Sequence, residues 1–260
     1  MQKSEFEYVR NEVLRSRDHL EDETVVRAVK VQSDIRSFAG SFLRSSGYIE
    51  IPPVIISPLT DPLNHPVIDP RIKSYGGDFW LTKSMIFHKQ IAVQSLKKIF
   101  IMSPNIRLEL EEKRLTGRHL YEFTQIDIEA LNHSRDQMMT LAETLIKDVI
   151  RRLKNEDAAE LRYFGRTLPD FAEKFRQVKY LDALKEYGDR FEKALSESSR
   201  EPVWIVEYHA FCEPEVTAVG FYSGINYRMV QGISEGGNYD WRYLDVTGVP
   251  EEAACEAPDI

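Results

Sequence analysis

Cysteine is scarce in this chain. Of 260 residues only Cys212 and Cys255 carry a thiol, and neither sits at a metal-ligand spacing. Free thiols in a reducing cytoplasm are the expectation. No apolar run approaches the ~18 residues that cross a bilayer. The amino-terminal stretch MQKSEFEYVRNEV is charged and has no apolar signal-peptide core. The expected setting is therefore cytoplasmic, with no membrane partner. Internal repeats and low-complexity tracts are also missing. Positive charge is in deficit: 34 Lys and Arg against 42 Asp and Glu give a net charge of −8. A protein that grips tRNA neutralises phosphates with a basic footprint. This balance argues against tRNA as a partner and for small-molecule substrates. Hydrophobic content of 42% and aromatic content of 11% support a substantial core. With no convincing linker, residues 1–260 read as a single domain in which residues 1–22 form a helical extension.

Residues 4–20 suit a charged helix. Residues 23–46 suit a stronger one, because Ala28, Val31, Ile35, Phe38 and Phe42 recur at three- and four-residue spacing. Gly47 stops it as a C′ glycine. The run YIEIPPVII reads as a strand whose Pro52 and Pro53 confine it to an edge, an interface or a bulge. Residues 57–78, with four prolines and the Gly76-Gly77 pair, read as a long loop. DFWLT reads as a short strand before a helix that Ser84 caps. Residues 135–153 form an amphipathic helix with Met138, Leu141, Leu145, Val149 and Leu153 on one face. Residues 154–200 look charged and mostly helical. Strand signals return at 203–208, 219–231 and 240–246. Strands joined by hairpins and irregular loops, without βαβ alternation, predict an α+β fold with an antiparallel sheet flanked by helices.

The densest stretch is FIMSPNIRLELEEKRLTGRHLYEFTQIDIE, residues 100–129. Alternation on both arms predicts a hairpin. Arg107 ends the first arm, Arg118 and His119 leave the turn, and Phe123 follows. Guanidiniums suit phosphates, a ring suits a base, and a carboxylate such as Glu109 accepts from an amino group. RLE (107–109) and GRHLYEFTQIDIE (117–129) resemble motif 2 of class II aminoacyl-tRNA synthetases of the aspartate, asparagine and lysine branch. ISPLTDP (56–62) and LTKSMIFHKQ (81–90) look closest to archaeal asparagine synthetase-related proteins, stand-alone cores without an anticodon-binding domain. The resemblance covers roughly residues 24–245. The helix–strand–proline unit before it resembles motif 1, which implies a homodimer through residues 28–56.

The resemblance implies ATP and Mg²⁺ as cofactors and an amino acid as substrate. It gives Arg107 the α-phosphate and the activated carboxylate, Glu109 the adenine amino group, Arg118 and His119 the β- and γ-phosphates, and Phe123 the adenine ring. Lys89 falls where aspartate-type synthetases keep a lysine for the side-chain carboxylate of the substrate. Arg107 and Lys89 are thus the expected catalytic pair. Asp61, Ser84, Lys89, Gln125 and Asp127 line the amino-acid side, with Asp127 toward the α-ammonium. Without the resemblance, Arg107 reads as a surface strand arginine, Glu109 as a solvent-facing acid, Lys89 as a helix-surface lysine, Arg118 and His119 as part of a solvated charged loop, and Phe123 as core packing.

The pattern then breaks. Motif 3, a glycine-rich strand–helix ending in an arginine, is missing or divergent; GFYSGINYR (220–228) lacks its spacing. Glu235, before Gly236-Gly237, is the candidate metal ligand, and Tyr239 stands near where an arginine is expected. Lys83 replaces a glutamine favoured by the tRNA-charging relatives. The expected function is ATP-dependent activation of aspartate, or a similar amino acid, with transfer to ammonia or a small amine. Transfer to tRNA or a carrier, and a non-catalytic paralogue that binds an amino acid or nucleotide, remain the alternatives.

Overall fold

The computed structural model describes residues 3–61, 67–113, 120–171, 174–199 and 202–206, with the backbone alone at 3–6 and 193, and the backbone alone also at 228–229 and 234–235. Its helices are α1 (Lys3–Glu21), α2 (Glu23–Ser45), α3 (Ile86–Leu96), α4 (Arg135–Glu156), α5 (Ala158–Tyr163), α6 (Tyr180–Tyr187) and α7 (Phe191–Ser198). Its strands are β1 (Ile49–Glu50), β2 (Ile56–Ser57), β3 (Ile72–Ser74), β4 (Gly77–Leu81), β5 (Lys98–Ile106), β6 (Glu122–Ala130), β7 (Arg176–Lys179), β8 (Val203–Val206), β9 (Arg228–Met229) and β10 (Ser234–Glu235). The class is α+β. None of the described helices is long and apolar enough to cross a membrane.

The chain divides into two compact units, one of Met1–Ser45 with Thr144–Asp170, the other of Ser46–Glu143 with Phe171–Ile260. In the first, Val31, Ile35 and Phe42 of the expected α2 stripe are partly buried and Phe38 is buried, together with Ala39 and Leu43, which the stripe did not include. Ala28, at the start of the stripe, is exposed. Lys30 Nζ lies 3.0 Å from both Asp157 and Glu160, which ties α2 to the start of α5. Gly47, just past α2, has φ +83, the left-handed geometry that ends a helix cheaply only at glycine.

In the second unit β5 is the central strand of the order β1-β5-β6. It pairs parallel with β1 and antiparallel with β6. Ile99, Phe100 and Ile101 are fully buried, so both faces of β5 are covered at that end. A separate sheet, β10-β9-β8-β7, backs a small core of Tyr180, Ala183, Phe191, Leu195, Val203 and Ile205. These two sheets are antiparallel except at β1–β5 and β7–β8, which are parallel, and the third, β2-β4-β3, is wholly antiparallel.

Four local expectations change. The run YIEIPPVII is not one strand. It breaks at Pro52-Pro53 into β1 and β2, which belong to different sheets, as two residues without a donor N–H dictate. The loop 57–78 contains β3, paired antiparallel with β4 around a two-residue turn. Tyr75 and Gly76 both have positive φ there (49° and 75°), the backbone of a type I′ hairpin. The N-cap position of α3 is Met85, one residue later than expected and with no cap bond from its own side chain, while Ser84 Oγ accepts from Ile86 N–H at 3.4 Å and donates to Asp61 Oδ2. Strand β7 lies inside the stretch read as mostly helical. The strand expected at 240–246, both cysteines and Gly236-Gly237 lie outside the described residues.

Candidate active site

The register of β5 against β6 sets Ile99 opposite Glu129, Ile101 opposite Asp127, Ser103 opposite Gln125 and Asn105 opposite Phe123. Opposed residues share a face of the pleat. One face of this hairpin therefore carries Ser103, Asn105, Phe123, Gln125, Asp127 and Glu129. Ser103 and Asn105 are fully buried and Glu129 nearly so. Burying polar groups costs free energy unless each finds a partner. Here Ser103 Oγ donates to Asn105 Oδ1 at 2.9 Å, and the Asn105 amide donates to Gln125. Beyond Ile101 the face is mostly polar, buried at Ser103 and Asn105 and partly open at Phe123, Gln125 and Asp127, which suits a site better than a core.

Helix α3 lays Lys89 on this face. Its Nζ lies 2.9 Å from Glu129 Oε1 and 3.3 Å from Asp127 Oδ1, with the lysine side chain 8% exposed. Lys89 and Asp127, both expected at the amino-acid end, are brought together. Glu129 was missed by the sequence reading. The same two-residue count that joined Gln125 to Asp127 reaches it next. Asp61 and Ser84 also meet, Oγ donating to Oδ2 at 2.8 Å. The Asp127 carboxylate, expected toward an α-ammonium, has one oxygen committed to Lys89.

At the other end of the face, Arg107 follows β5. Its backbone N–H donates to Tyr121 O at 2.9 Å, which continues the ladder past the strand end. Its Nε donates to the Lys83 carbonyl at 3.2 Å, and its guanidinium carbon lies 5.1 Å from the centre of the Phe123 ring. Arg107 and Phe123, both expected on the nucleotide side, are therefore brought together. Glu109, two residues beyond Arg107, is buried, and Leu108 between them bridges to Ile68. Lys83, whose side chain is 5% exposed, pairs with Asp69 Oδ2 at 2.6 Å.

His88 sits beside the site rather than in it. Leu59 N donates to Ser57 Oγ, and Ser57 Oγ lies 3.0 Å from His88 Nε2. Burial pushes this imidazole below its ordinary pKa of 6.5. His88 Nδ1, Gln90 Nε2 and Thr82 Oγ1 are buried with no hydrogen-bond partner among the described residues. Arg118 and His119 lie outside the described residues, and Glu235 has only its backbone described, in β10. Among the described residues no group of three or more His, Cys, Asp and Glu is arranged to hold a metal ion.

A class II synthetase fold is what these elements make. An asparaginyl-tRNA synthetase of Pyrococcus horikoshii, complexed with asparaginyl-adenylate, matches with TM-score 0.68 at 19% identity over 90% of this chain and 60% of its own. An Entamoeba histolytica asparaginyl-tRNA synthetase matches with TM-score 0.72 at 17% identity over 92% of this chain and 60% of its own. The family described as class II tRNA synthetases (D, K and N) matches residues 10–228, and the chain belongs to it. Among curated relatives, an aspartate–tRNA(Asp/Asn) ligase of Methanopyrus kandleri is 27% identical over 72% of this chain and 46% of its own length. An asparagine–tRNA ligase of Thermoplasma acidophilum is 24% identical over the same shares, 72% and 46%. The chain thus spans about half the length of the curated relatives it matches. These relatives are tRNA ligases by name, so the expectation that tRNA is no partner gains no support from them.

Proposed function

We propose that this chain is the adenylate-forming core of an ATP-dependent ligase that activates aspartate, asparagine or a close analogue. The observation that carries the reading is one hairpin face with two ends. Arg107 and Phe123 meet at one end, and Lys89 sits between Asp127 and Glu129 at the other. Attack by the amino acid's α-carboxylate oxygen on the α-phosphorus forms one P–O bond. The bond to the bridging oxygen breaks and pyrophosphate leaves with its electron pair. Charge accumulates on the α-phosphate oxygens, where a fixed guanidinium stabilises it most. Arg107 has that role, Phe123 holds the base, Glu109 accepts from the adenine amino group, and Arg118 and His119 take the β- and γ-phosphates. Asp61, Ser84, Gln125 and Asp127 orient the amino acid. Mg²⁺ is expected to arrive with ATP. The described side chains offer no group built to hold it, and no step is assigned to a protein-bound metal.

The names of the curated relatives favour a tRNA 3′ end as acceptor. Ammonia, as in the asparagine synthetase-related proteins, is the second reading, favoured by the net charge of −8. A homodimer through residues 28–56 is part of the proposal. Ile49, Ile55 and Ile56 are 48%, 41% and 49% exposed around Pro52-Pro53, apolar surface that a second copy would cover. The test is exchange of labelled pyrophosphate into ATP with aspartate, asparagine or neither. Exchange that depends on one amino acid supports the reading. Binding of ATP and amino acid without exchange supports the non-catalytic paralogue instead. Where exchange occurs, acylation of bulk tRNA against ammonia-dependent amide formation separates the two acceptors.

A further inference from the structure

Lys83 has its main chain fixed inside the site and its side chain buried, with Asp69, partly exposed, as its one counter-ion among the described residues. Its N–H donates to Thr60 Oγ1 at 3.0 Å, and its carbonyl accepts from Arg107 Nε at 3.2 Å. Its ammonium lies 2.6 Å from Asp69 Oδ2, with side-chain exposures of 5% for Lys83 and 36% for Asp69. Asp69 follows Ile68, whose N–H donates to Leu108 O at 2.8 Å. The carboxylate therefore sits on a stretch clipped to the chain between Arg107 and Glu109.

The pair is asymmetric. A buried ammonium needs an anionic oxygen beside it, whereas a partly exposed carboxylate rehydrates at little cost. Asp69 is thus a partner that a competing anion can replace. Lys89 is the contrast. Its counter-ions Asp127 and Glu129 are 14% and 4% exposed, so neither rehydrates as cheaply as Asp69. An incoming anion therefore displaces Asp69 more readily than either of those two carboxylates.

We infer that Lys83 is a substrate-binding cation of this site, a subsite for an anionic oxygen, and that Asp69 holds the subsite until the substrate's own anion takes its place. The inference rests on the adenylate-forming reading above. It moves the capture of an anionic group from Lys89, where the sequence placed it, to Lys83. The anion is a carboxylate of the amino acid or a phosphate of ATP, which share this chemistry.

The experiment is calorimetric titration of the full chain with aspartate alone and with ATP-Mg²⁺ alone, for the wild type, Asp69→Asn and Lys83→Gln. Removing the competitor in Asp69→Asn tightens binding of the ligand that uses Lys83 by several-fold. Removing the charge in Lys83→Gln weakens that same ligand by about tenfold or more. The ligand whose affinity moves in opposite directions in the two variants identifies the source of the anion. Loss of affinity in both variants, or no change in either, marks a purely structural ion pair and overturns the inference. Should Lys83→Gln fail to fold, Asp69→Asn decides alone: tighter binding supports the placeholder, and equal or weaker binding overturns it. A wild type that binds neither ligand brings down the adenylate reading and this inference together. A wild type that binds, without the opposite movement, removes only the role given to Lys83.

Discussion

Lys89 Nζ and Glu129 Oε1 lie 2.9 Å apart, with side chains 8% and 4% exposed. An ion pair this deep is weak evidence for net stabilisation, but removing one partner strands the other. Glu129→Gln should therefore cost about 2–3 kcal/mol, less than the usual loss because Asp127 stays beside the lysine. The single Lys89→Met should cost more, since it leaves two carboxylates without their cation. The double variant should lose less than the sum of the singles, by urea denaturation. Additive losses would show that the two side chains do not act as a pair.

Arg107 and Phe123 should separate in their effects on nucleotide. Phe123→Ala removes a stacking platform worth about 1–3 kcal/mol per base, so ATP affinity should fall roughly tenfold while aspartate affinity stays near its original value. Arg107→Lys keeps the charge but loses the planar fork and the contact with the ring. Pyrophosphate exchange should fall about 100-fold or more in that variant, as in Arg107→Ala. Full exchange activity in Arg107→Lys would reassign the phosphate role elsewhere.

The hairpin was legible because its chemistry and its period agree. Phe123, Gln125 and Asp127 alternate, and the observed register against β5 keeps them on one face with Ser103 and Asn105. Glu129 extends the same count, but a carboxylate at a strand end also suits water, and sequence alone does not report burial. The Lys83–Asp69 pair spans two segments that local patterns treat separately. Lys83 stood out only as a departure from a family preference, and Asp69 lay in a stretch read as loop. The short strands failed for a different reason. A two-residue strand such as β1 or β2 carries no periodicity, so its pairing is set by the tertiary neighbour rather than by its own residues.

Asp34 gives a prediction in the other unit. Burial raises its carboxyl above the ordinary value of 3.8, and repulsion from Asp157 adds to the shift. A carboxylate with a raised folded pKa binds its proton more tightly when folded. Stability then falls as pH climbs from 3.8 toward that raised value and stays lower above it. Asp34→Asn should accordingly be more stable than the wild type near neutral pH, and this advantage should vanish in acid below 3.8. Thermal midpoints across that range check it. An asparagine variant that is less stable at neutral pH would mean that the carboxylate is held by favourable contacts that outweigh its burial.

His88 supplies the opposite pH dependence. Its pKa is depressed by burial below 6.5, so the folded protein holds the neutral ring where the unfolded chain would already be protonated. The unfolded state binds more protons in that window, and stability is lost as pH falls from 6.5 toward the lowered folded value. Protonation puts a hydrogen on both ring nitrogens, so Nε2 then donates to the Ser57 hydroxyl 3.0 Å away. His88→Asn removes the titration while keeping a polar side chain. Urea midpoints at about pH 7.5 and about pH 5.5 should drop for the wild type and drop less for the variant. Equal slopes in the two proteins would assign the acid loss to other groups.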